Sequence, residues 1–209
     1  MSKVLFLPGA SGNASFWKPV AERAGIDGIF FSWPGLGDEP ALSNIKGIDD
    51  LVDLVAGEIK GPVDIVAQSM GGIVAIKLAL ALPGMIRRLV LAVTSGGLPV
   101  ADPGAVDWRP DYFAAYPRAA EWIADPVEDL STQIKCIDAP TLLLWGDADP
   151  ISPLAVGKRL SLLLPNARLC VIPGGDHDLV RIHVDAVAAQ IKRHLLDSSN
   201  ESPPVKTRE

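Results

Sequence analysis

The chain is poor in the residues that build disulfide scaffolds and nucleic-acid surfaces. Its 209 residues include two cysteines, Cys136 and Cys170, which are too few for a disulfide framework. Both lie in apolar stretches, so we expect them to be reduced and buried. The formal net charge is −6 and the sequence contains no basic stripe, which excludes nucleic acid from the predicted partners.

Sequence signals for metals, nucleotides and membranes are also missing. There is no HExxH motif, and the loop from Gly9 to Gly12 lacks the lysine of a phosphate-binding loop, so we predict neither metal nor cofactor. Lys77 and Pro83 interrupt the most apolar stretch before it reaches the roughly 18 residues of a membrane span. The apolar run at 4–7 is too short for a signal peptide. We therefore expect a cytoplasmic protein that does not associate with membranes.

The rest of the composition is that of one globular domain. Hydrophobic residues make up 48% of the chain and charged residues 21%. Residues 1–196 are numerous enough to bury a single core without disulfides or metals. Residues 197–209 are polar and contain two adjacent prolines, which predicts a disordered tail.

Short apolar runs alternate with segments of helical period along the chain. The runs are rich in Leu and β-branched residues and apolar on both faces, as expected when helices cover both sides of a parallel sheet. This alternation predicts an α/β fold with a doubly wound, mainly parallel six-stranded sheet and helices on both faces. The predicted strands are Val4–Leu7, Gly28–Ser32, Val63–Ala67, Leu89–Val93, Thr141–Trp145 and Leu169–Ile172.

Three segments carry clear helical patterns. The first is amphipathic, with Ser43 as its predicted N-cap and a core stripe from Ile45 to Ile59. The second, 71–82, is apolar almost all round, which predicts a central buried helix. The third is the final helix, whose buried face runs from Val180 to Leu195.

One stretch, 98–127, has no strand pattern but is rich in aromatic residues. One interpretation is a satellite core under a long loop. The other is a small lid above the carboxyl ends of the strands, where long loops are usually functional. In the second case its aromatic side chains would bind the substrate: Trp108, Tyr112, Phe113, Tyr116 and Trp122.

Ser69 stands at a junction that favours a nucleophile. The predicted strand 63–67 runs through Gln68 into Ser69, and the buried helix follows at once. Such a sharp strand-to-helix turn needs small residues two positions before and after the serine, here Ala67 and Gly71. The helix amino terminus also points backbone N–H groups beside Ser69, where an oxyanion would form. The alternative is that Ser69 only caps the helix.

His177 is the histidine best placed to act as a base for this serine. His183 and His194 lie within the predicted final helix, where packing or surface roles are expected. His177 follows the last strand in the loop 173–178, so it projects from a strand carboxyl end on the same side of the sheet as Ser69. Ligands of doubly wound sheets bind at that edge.

Two aspartates compete for the carboxylate that would orient the imidazole. Asp147 and Asp149 both follow the predicted strand 141–145 at the same edge. The alternative role of Asp147 is to stabilise its own turn through a backbone hydrogen bond. Between Asp149 and His177 there is enough chain for one helix and one strand, so their loops are expected to be neighbours.

Taken together, these motifs resemble the α/β-hydrolase superfamily, in which nucleophile, acid and histidine follow in this order. The resemblance runs from Val4 to about Leu196 and rests on AQSMGGIVAIKLALALP, DAPTLLLWGDADPISP and GGDH. It implies that the second aspartate of WGDADPISP, Asp149, is the acid. It also implies that the loop after the first strand supplies one oxyanion donor, the backbone N–H of Ala10, and that Met70 supplies the other.

The chain departs from the family pattern at three positions near this site. Pro8 replaces the usual histidine of the oxyanion loop, Gln68 the frequent histidine before the nucleophile, and Ala67 the usual glycine. None of these changes removes a catalytic atom, because the oxyanion donors are backbone groups. The resemblance thus implies a minimal α/β-hydrolase fold with six strands and a short lid.

The resemblance implies hydrolysis of a small-molecule ester or thioester through a Ser69–His177–Asp149 triad and an acyl-enzyme intermediate. Epoxide and haloalkane hydrolysis in this superfamily use an aspartate nucleophile, so Ser69 argues against both. Two alternatives remain. One is a lyase or C–C bond hydrolase on the same triad, and the other is a non-catalytic ligand-binding protein of the same fold.

Overall fold

In the computed structural model, which describes residues 3–99 and 105–196, a single six-stranded sheet runs through the protein. All neighbouring strands pair in parallel, so the predicted doubly wound α/β fold is confirmed. The predicted tail, 197–209, and part of the predicted lid, 100–104, lie outside the described residues. The strands are β1 (Lys3–Leu7), β2 (Ile29–Phe30), β3 (Val63–Gln68), β4 (Ile86–Ala92), β5 (Thr141–Gly146) and β6 (Ala167–Ile172).

Helices cover the sheet on both faces. Connections between parallel strands are right-handed. A helix that leads to the strand on one side and a helix that leads to the strand on the other side therefore lie on opposite faces of the sheet. Accordingly the first helix packs against the last, and the second against the third. No helix in the described ranges has both the length and the apolar character to cross a bilayer. The helices are α1 (Lys18–Ala24), α2 (Ile48–Ala56), α3 (Met70–Ala81), α4 (Arg109–Ala115), α5 (Leu154–Leu163), α6 (Leu179–Ile182) and α7 (Val184–Leu196), with short 3₁₀ helices at Glu121–Ala124 and Ile134–Cys136.

The order of the strands fixes where a ligand can enter. The sheet runs β2-β1-β3-β4-β5-β6, so the chain moves outward from β1 to β2 and then returns past β1 to β3. The direction of winding therefore reverses between β1 and β3. In open parallel sheets the crevice at such a reversal, beside the strand carboxyl ends, is the usual ligand site.

The core is concentrated around the central strands and α3. Every residue of β3 is buried, and nine residues of α3 are buried, as its nearly uniform apolar pattern predicts. Trp17, Trp33 and Trp145 are the largest fully buried side chains. Truncation of a tryptophan packed in this way costs about 3–5 kcal/mol, so these residues contribute much of the stability.

Two helix predictions are corrected by the structure. The amphipathic helix begins at Ile48, and its N-cap is Gly47 instead of Ser43. The Asp50 carboxylate stabilises the first turn because it accepts the Lys46 N–H at 2.7 Å. The final helix is not continuous from Val180, because the chain leaves helical geometry at His183 and begins a new helix at the next residue.

The two outer strands and the cysteines also differ from expectation. Strand β2 has only two residues, and β6, at the edge of the described sheet, exposes Arg168 and Val171. Cys170, on β6, is therefore only half-buried, and Cys136 is exposed at the end of a 3₁₀ helix whose apolar side is Ile134. Both thiols are free, but the prediction that they are buried is wrong.

Candidate active site

Ser69 occupies a strained turn between β3 and α3. Its φ of 51° and ψ of −122° lie in a region that side-chain-bearing residues rarely adopt. The turn is held because the Ser69 N–H donates to Ala92 O at 3.0 Å. A side chain at Gly71 would approach Pro8 O to 2.4 Å, so the small residue after the serine is required here, as the sequence motif predicts. This turn presents the hydroxyl at the carboxyl edge of the sheet.

His177 connects Ser69 to a buried carboxylate. Its Nε2 lies 3.0 Å from Ser69 Oγ, and its Nδ1 lies 2.9 Å from Asp149 Oδ2. The Asp149 side chain is fully buried, whereas 22% of the His177 side chain is exposed. The other Asp149 oxygen accepts the N–H groups of Ile151 and Ser152 at 2.8 and 2.9 Å, which compensates the desolvated carboxylate and fixes its orientation.

The competing aspartate, Asp147, makes a different contact. Its Oδ1 accepts the Gly174 N–H at 2.7 Å and so joins the loop after β5 to the loop after β6. This bond spans two loops, unlike the local backbone bond considered from the sequence. Of the two aspartates, only Asp149 is in hydrogen-bond contact with His177.

The two predicted oxyanion donors lie on either side of the strand reversal, Ala10 after β1 and Met70 after β3. Met70 is the first residue of α3, where backbone N–H groups have no intrahelical acceptor. Neither the Ala10 nor the Met70 N–H donates to another group within the described ranges. Gly9 lies against the nucleophile turn, since a Cβ there would come within 3.1 Å of Ser69 Cβ. Both N–H groups thus lack a protein acceptor within the described ranges, in segments that adjoin Ser69, and their role as oxyanion donors stays a prediction.

Two polar side chains that the sequence analysis did not assign also support this turn. Gln68 is buried, and its Nε2 donates to His177 O at 3.3 Å, which ties the histidine loop to the nucleophile turn. Thr94 Oγ1 donates to Ser69 O at 2.5 Å, and it follows Val93, a buried β-branched residue held at a φ of 40°. Local sequence patterns carry no signal for either contact, because both partners are distant in the chain.

Four of the five aromatic residues of segment 98–127 form a cluster around Tyr112 beside this edge, and the fifth is Trp122. Tyr112, on α4, is buried, and the other four are partly buried and pack against the core. The Tyr112 ring contacts those of Trp108, Phe113 and Tyr116 at centroid distances of 5.5, 5.5 and 5.2 Å. Trp122 Nε1 is buried with no hydrogen-bond partner in the described part of the chain. Their role in substrate binding stays a prediction.

The fold and this grouping of serine, histidine and aspartate are those of the α/β hydrolases. Residues 4–133 match the family model described as the Alpha/beta hydrolase family, and residues 109–206 match the model described as TAP-like protein. The chain therefore belongs to the alpha/beta hydrolase family, as its sequence motifs predict.

Several known proteins are similar to this chain. A pimeloyl-(acyl-carrier protein) methyl ester esterase of Neisseria meningitidis serogroup A is 26% identical over an alignment that covers 83% of this chain and 69% of that protein. Its serogroup C counterpart is 28% identical over an alignment that covers 75% of this chain and 78% of that protein. A thermophilic esterase from Thermogutta terrifontis superposes with a TM-score of 0.75 at 20% identity, covering 92% of this chain and 89% of that one. The structural likeness establishes the shared fold.

Proposed function

We propose that the protein hydrolyses an ester or thioester of a small molecule, with Ser69 as the nucleophile. The observation that carries the proposal is the continuous pair of contacts from Ser69 Oγ to His177 and from His177 to Asp149, at 3.0 and 2.9 Å. Relatives named as methyl ester esterases support an ester as the substrate. The proposed chemistry needs neither metal nor cofactor.

The contacts of Asp149 determine how His177 would act. A carboxylate that accepts from Nδ1 selects the tautomer with its proton on Nδ1 and leaves the Nε2 lone pair directed at Ser69 Oγ. The same buried negative charge stabilises the imidazolium once His177 has taken the serine proton. Asp149 therefore both orients the base and balances its charge.

In the acylation step, Ser69 Oγ bonds to the substrate carbonyl carbon while its proton moves to His177 Nε2. The carbonyl π electrons move onto the oxygen, which accepts the N–H groups of Ala10 and Met70. When the bond to the leaving group breaks, His177 gives its proton to the departing alcohol or thiol. A water molecule then attacks the acyl-enzyme while His177 again accepts the proton, and the breakdown of this second intermediate releases the carboxylic acid and regenerates Ser69.

Hydrolysis of p-nitrophenyl esters of graded acyl length, with acyl-CoA thioesters assayed alongside, tests this proposal. We expect turnover by the wild-type protein on at least one short ester or thioester and none by Ser69→Ala. Turnover that is equal in the two proteins would contradict the proposed nucleophile. The absence of turnover on the whole series by a folded wild-type protein would contradict the proposed reaction.

A further inference from the structure

The loop after β1 is fixed by side chains that bond to its backbone carbonyls. Trp17 Nε1 donates to Leu7 O at 3.0 Å, and Trp33 Nε1 donates to Pro8 O at 2.8 Å. Both indole rings are fully buried, so these bonds are shielded from water. The loop is therefore held by aromatic donors at the position where the family usually has a histidine.

Tyr112 extends this set of bonds to Ala10. Its hydroxyl donates to Ala10 O at 3.2 Å and accepts the Gly37 N–H at 3.0 Å. One oxygen atom thus joins three segments that are far apart in sequence: the loop after β1, the loop after β2 and helix α4. Burial raises the pKa of Tyr112, which keeps the hydroxyl protonated and able to donate.

The position of Ala10 gives this bond a consequence for catalysis. The Ala10 carbonyl is held by Tyr112, while its N–H has no acceptor among the described residues. The preceding residue, Gly9, packs against the Ser69 turn. The Ala10 N–H lies in the preceding peptide plane, whose Gly9 carbonyl accepts the Gly12 N–H at 3.1 Å. Tyr112 holds the following peptide plane, so the two bonds together restrict the φ and ψ of Ala10 and with them the direction of its N–H. An oxyanion donor is effective when it is oriented before the charge develops.

We propose that Tyr112 is a positioning residue that orients the Ala10 N–H toward the oxyanion, so that helix α4 takes part in transition-state stabilisation. This inference rests on the function proposed above. It differs from the earlier prediction that Tyr112 binds substrate, since a substrate contact changes KM, whereas an oriented oxyanion donor changes kcat. It also means that a displacement of α4 breaks a contact to the oxyanion loop.

Tyr112→Phe removes the hydroxyl and keeps the buried ring. Thr141→Val is the matched control, because Thr141 Oγ1 also donates one bond to a backbone carbonyl, that of Ala139, at 2.8 Å. Thr141 is the first residue of β5 and so lies at the amino edge of the sheet, opposite to Ser69. Each variant loses one hydroxyl-to-carbonyl bond, and Tyr112→Phe also loses the acceptor of the Gly37 N–H. We therefore expect a small decrease in Tm in both variants, the larger one in Tyr112→Phe.

The kinetic readouts separate positioning from stability. For Tyr112→Phe we expect kcat on the best p-nitrophenyl ester to fall about tenfold with KM unchanged, less than the loss of a direct oxyanion donor. Phenylboronic acid bonds to a nucleophilic serine and mimics the tetrahedral intermediate, so its inhibition constant is expected to rise about tenfold in the same variant. Thr141→Val is expected to change neither value.

The outcomes distinguish failure of this inference from failure of the proposed function. If Ser69→Ala retains activity, the proposed function is wrong. If Ser69→Ala is inactive but Tyr112→Phe matches Thr141→Val in kcat and in boronate inhibition, the positioning role is wrong. A raised KM with unchanged kcat in Tyr112→Phe also overturns it, because that result assigns Tyr112 to substrate binding.

Discussion

The two edges of the sheet each hold a histidine, and the two side chains have opposite surroundings. At the carboxyl edge, His177 is partly exposed and contacts a buried carboxylate and a serine hydroxyl. At the amino edge, His194 of α7 is 3% exposed, and its Nε2 lies 3.2 Å from Pro140 O, just before β5. The first histidine faces solvent and a negative charge, and the second faces the core.

The charges that neighbour the two histidines have opposite signs. Arg88, whose Nη1 donates to His194 O at 2.6 Å, lies beside His194. Burial, and then the charge of Arg88, lower the pKa of His194 to about 4, so it stays neutral and serves packing. His177 Nδ1 lies instead 2.9 Å from a carboxylate oxygen of Asp149. The histidine of the amino edge thus serves packing, whereas the histidine of the carboxyl edge belongs to the proposed triad.

Ser69→Ala separates these roles with the largest expected effect. It removes the proposed nucleophile and leaves every contact at the amino edge in place. We expect kcat to fall about 10⁴-fold or more, since triad members act as a unit, with little change in Tm. Steady-state kinetics on the best ester, together with thermal denaturation, test this. Retention of most of the activity would contradict the proposed mechanism.

The two aspartates at the carboxyl edge allow a test of which carboxylate supports His177. Asp149→Asn is expected to lower kcat by several orders of magnitude, on the order of 10⁴-fold, because an amide cannot balance the imidazolium charge. Asp147→Asn can still accept the Gly174 N–H and should lose about 1 kcal/mol of stability with a much smaller change in kcat. Kinetics and urea denaturation of both variants give the ranking. The opposite ranking would make Asp147 the catalytic acid.

The amino edge predicts an effect on stability with a defined pH range. Because the folded pKa of His194 is about 4 against an ordinary value of 6.5, the unfolded chain binds the extra proton first as the pH falls. Its stabilising contribution is therefore complete above pH 6.5 and is lost as the pH falls toward 4. The loss amounts to at most about 3 kcal/mol.

His194→Gln removes this titration and keeps an amide that can donate to Pro140 O. We expect the free energy of unfolding of this variant to fall less than that of wild type between pH 7.5 and 4.5, as measured by urea denaturation. Thr141→Val, which changes the same edge but removes no titratable group, is the control and should keep the wild-type pH dependence. Parallel pH profiles for wild type and His194→Gln would refute the assigned role of His194.

The smallest expected effect concerns the aromatic cluster beside the carboxyl edge. If Trp108 and Tyr116 line a pocket, truncating both to Ala should raise KM about tenfold for compact aromatic esters with little change in Tm, since burying apolar surface contributes about 25 cal/mol per Å². If they form a satellite core, the double variant should lose stability while KM stays unchanged. Both quantities are measured on one protein, so each result excludes the other interpretation.

The candidate site could be predicted from sequence because its residues follow strong strands directly. Ser69, Asp149 and His177 each come within a few residues of the end of β3, β5 or β6, and parallel strands bring all their carboxyl ends to one edge. Strand position alone does not decide between Asp147 and Asp149. Both follow the same strand, so the choice depended on family resemblance, and the structure shows that only Asp149 contacts His177.

The contacts that support the site had no local signal. Tyr112 bonds to a residue 102 positions away, and Gln68 to one 109 positions away, so neither follows from hydrophobic period or motif spacing. The interruption of the final helix at His183 also has no local sequence signal. No glycine or proline marks it, and the helical pattern continues on both sides. Tertiary packing, not local propensity, sets these features.

Covalent labelling tests the central claim most directly. A fluorophosphonate reacts with a serine only when a neighbouring base activates its hydroxyl. Peptide mass spectrometry of the labelled wild-type protein should find the adduct on Ser69, with none in Ser69→Ala and much slower labelling in His177→Gln. An adduct on a different serine, or none on the folded wild-type protein, would contradict the assignment of Ser69 as the activated nucleophile.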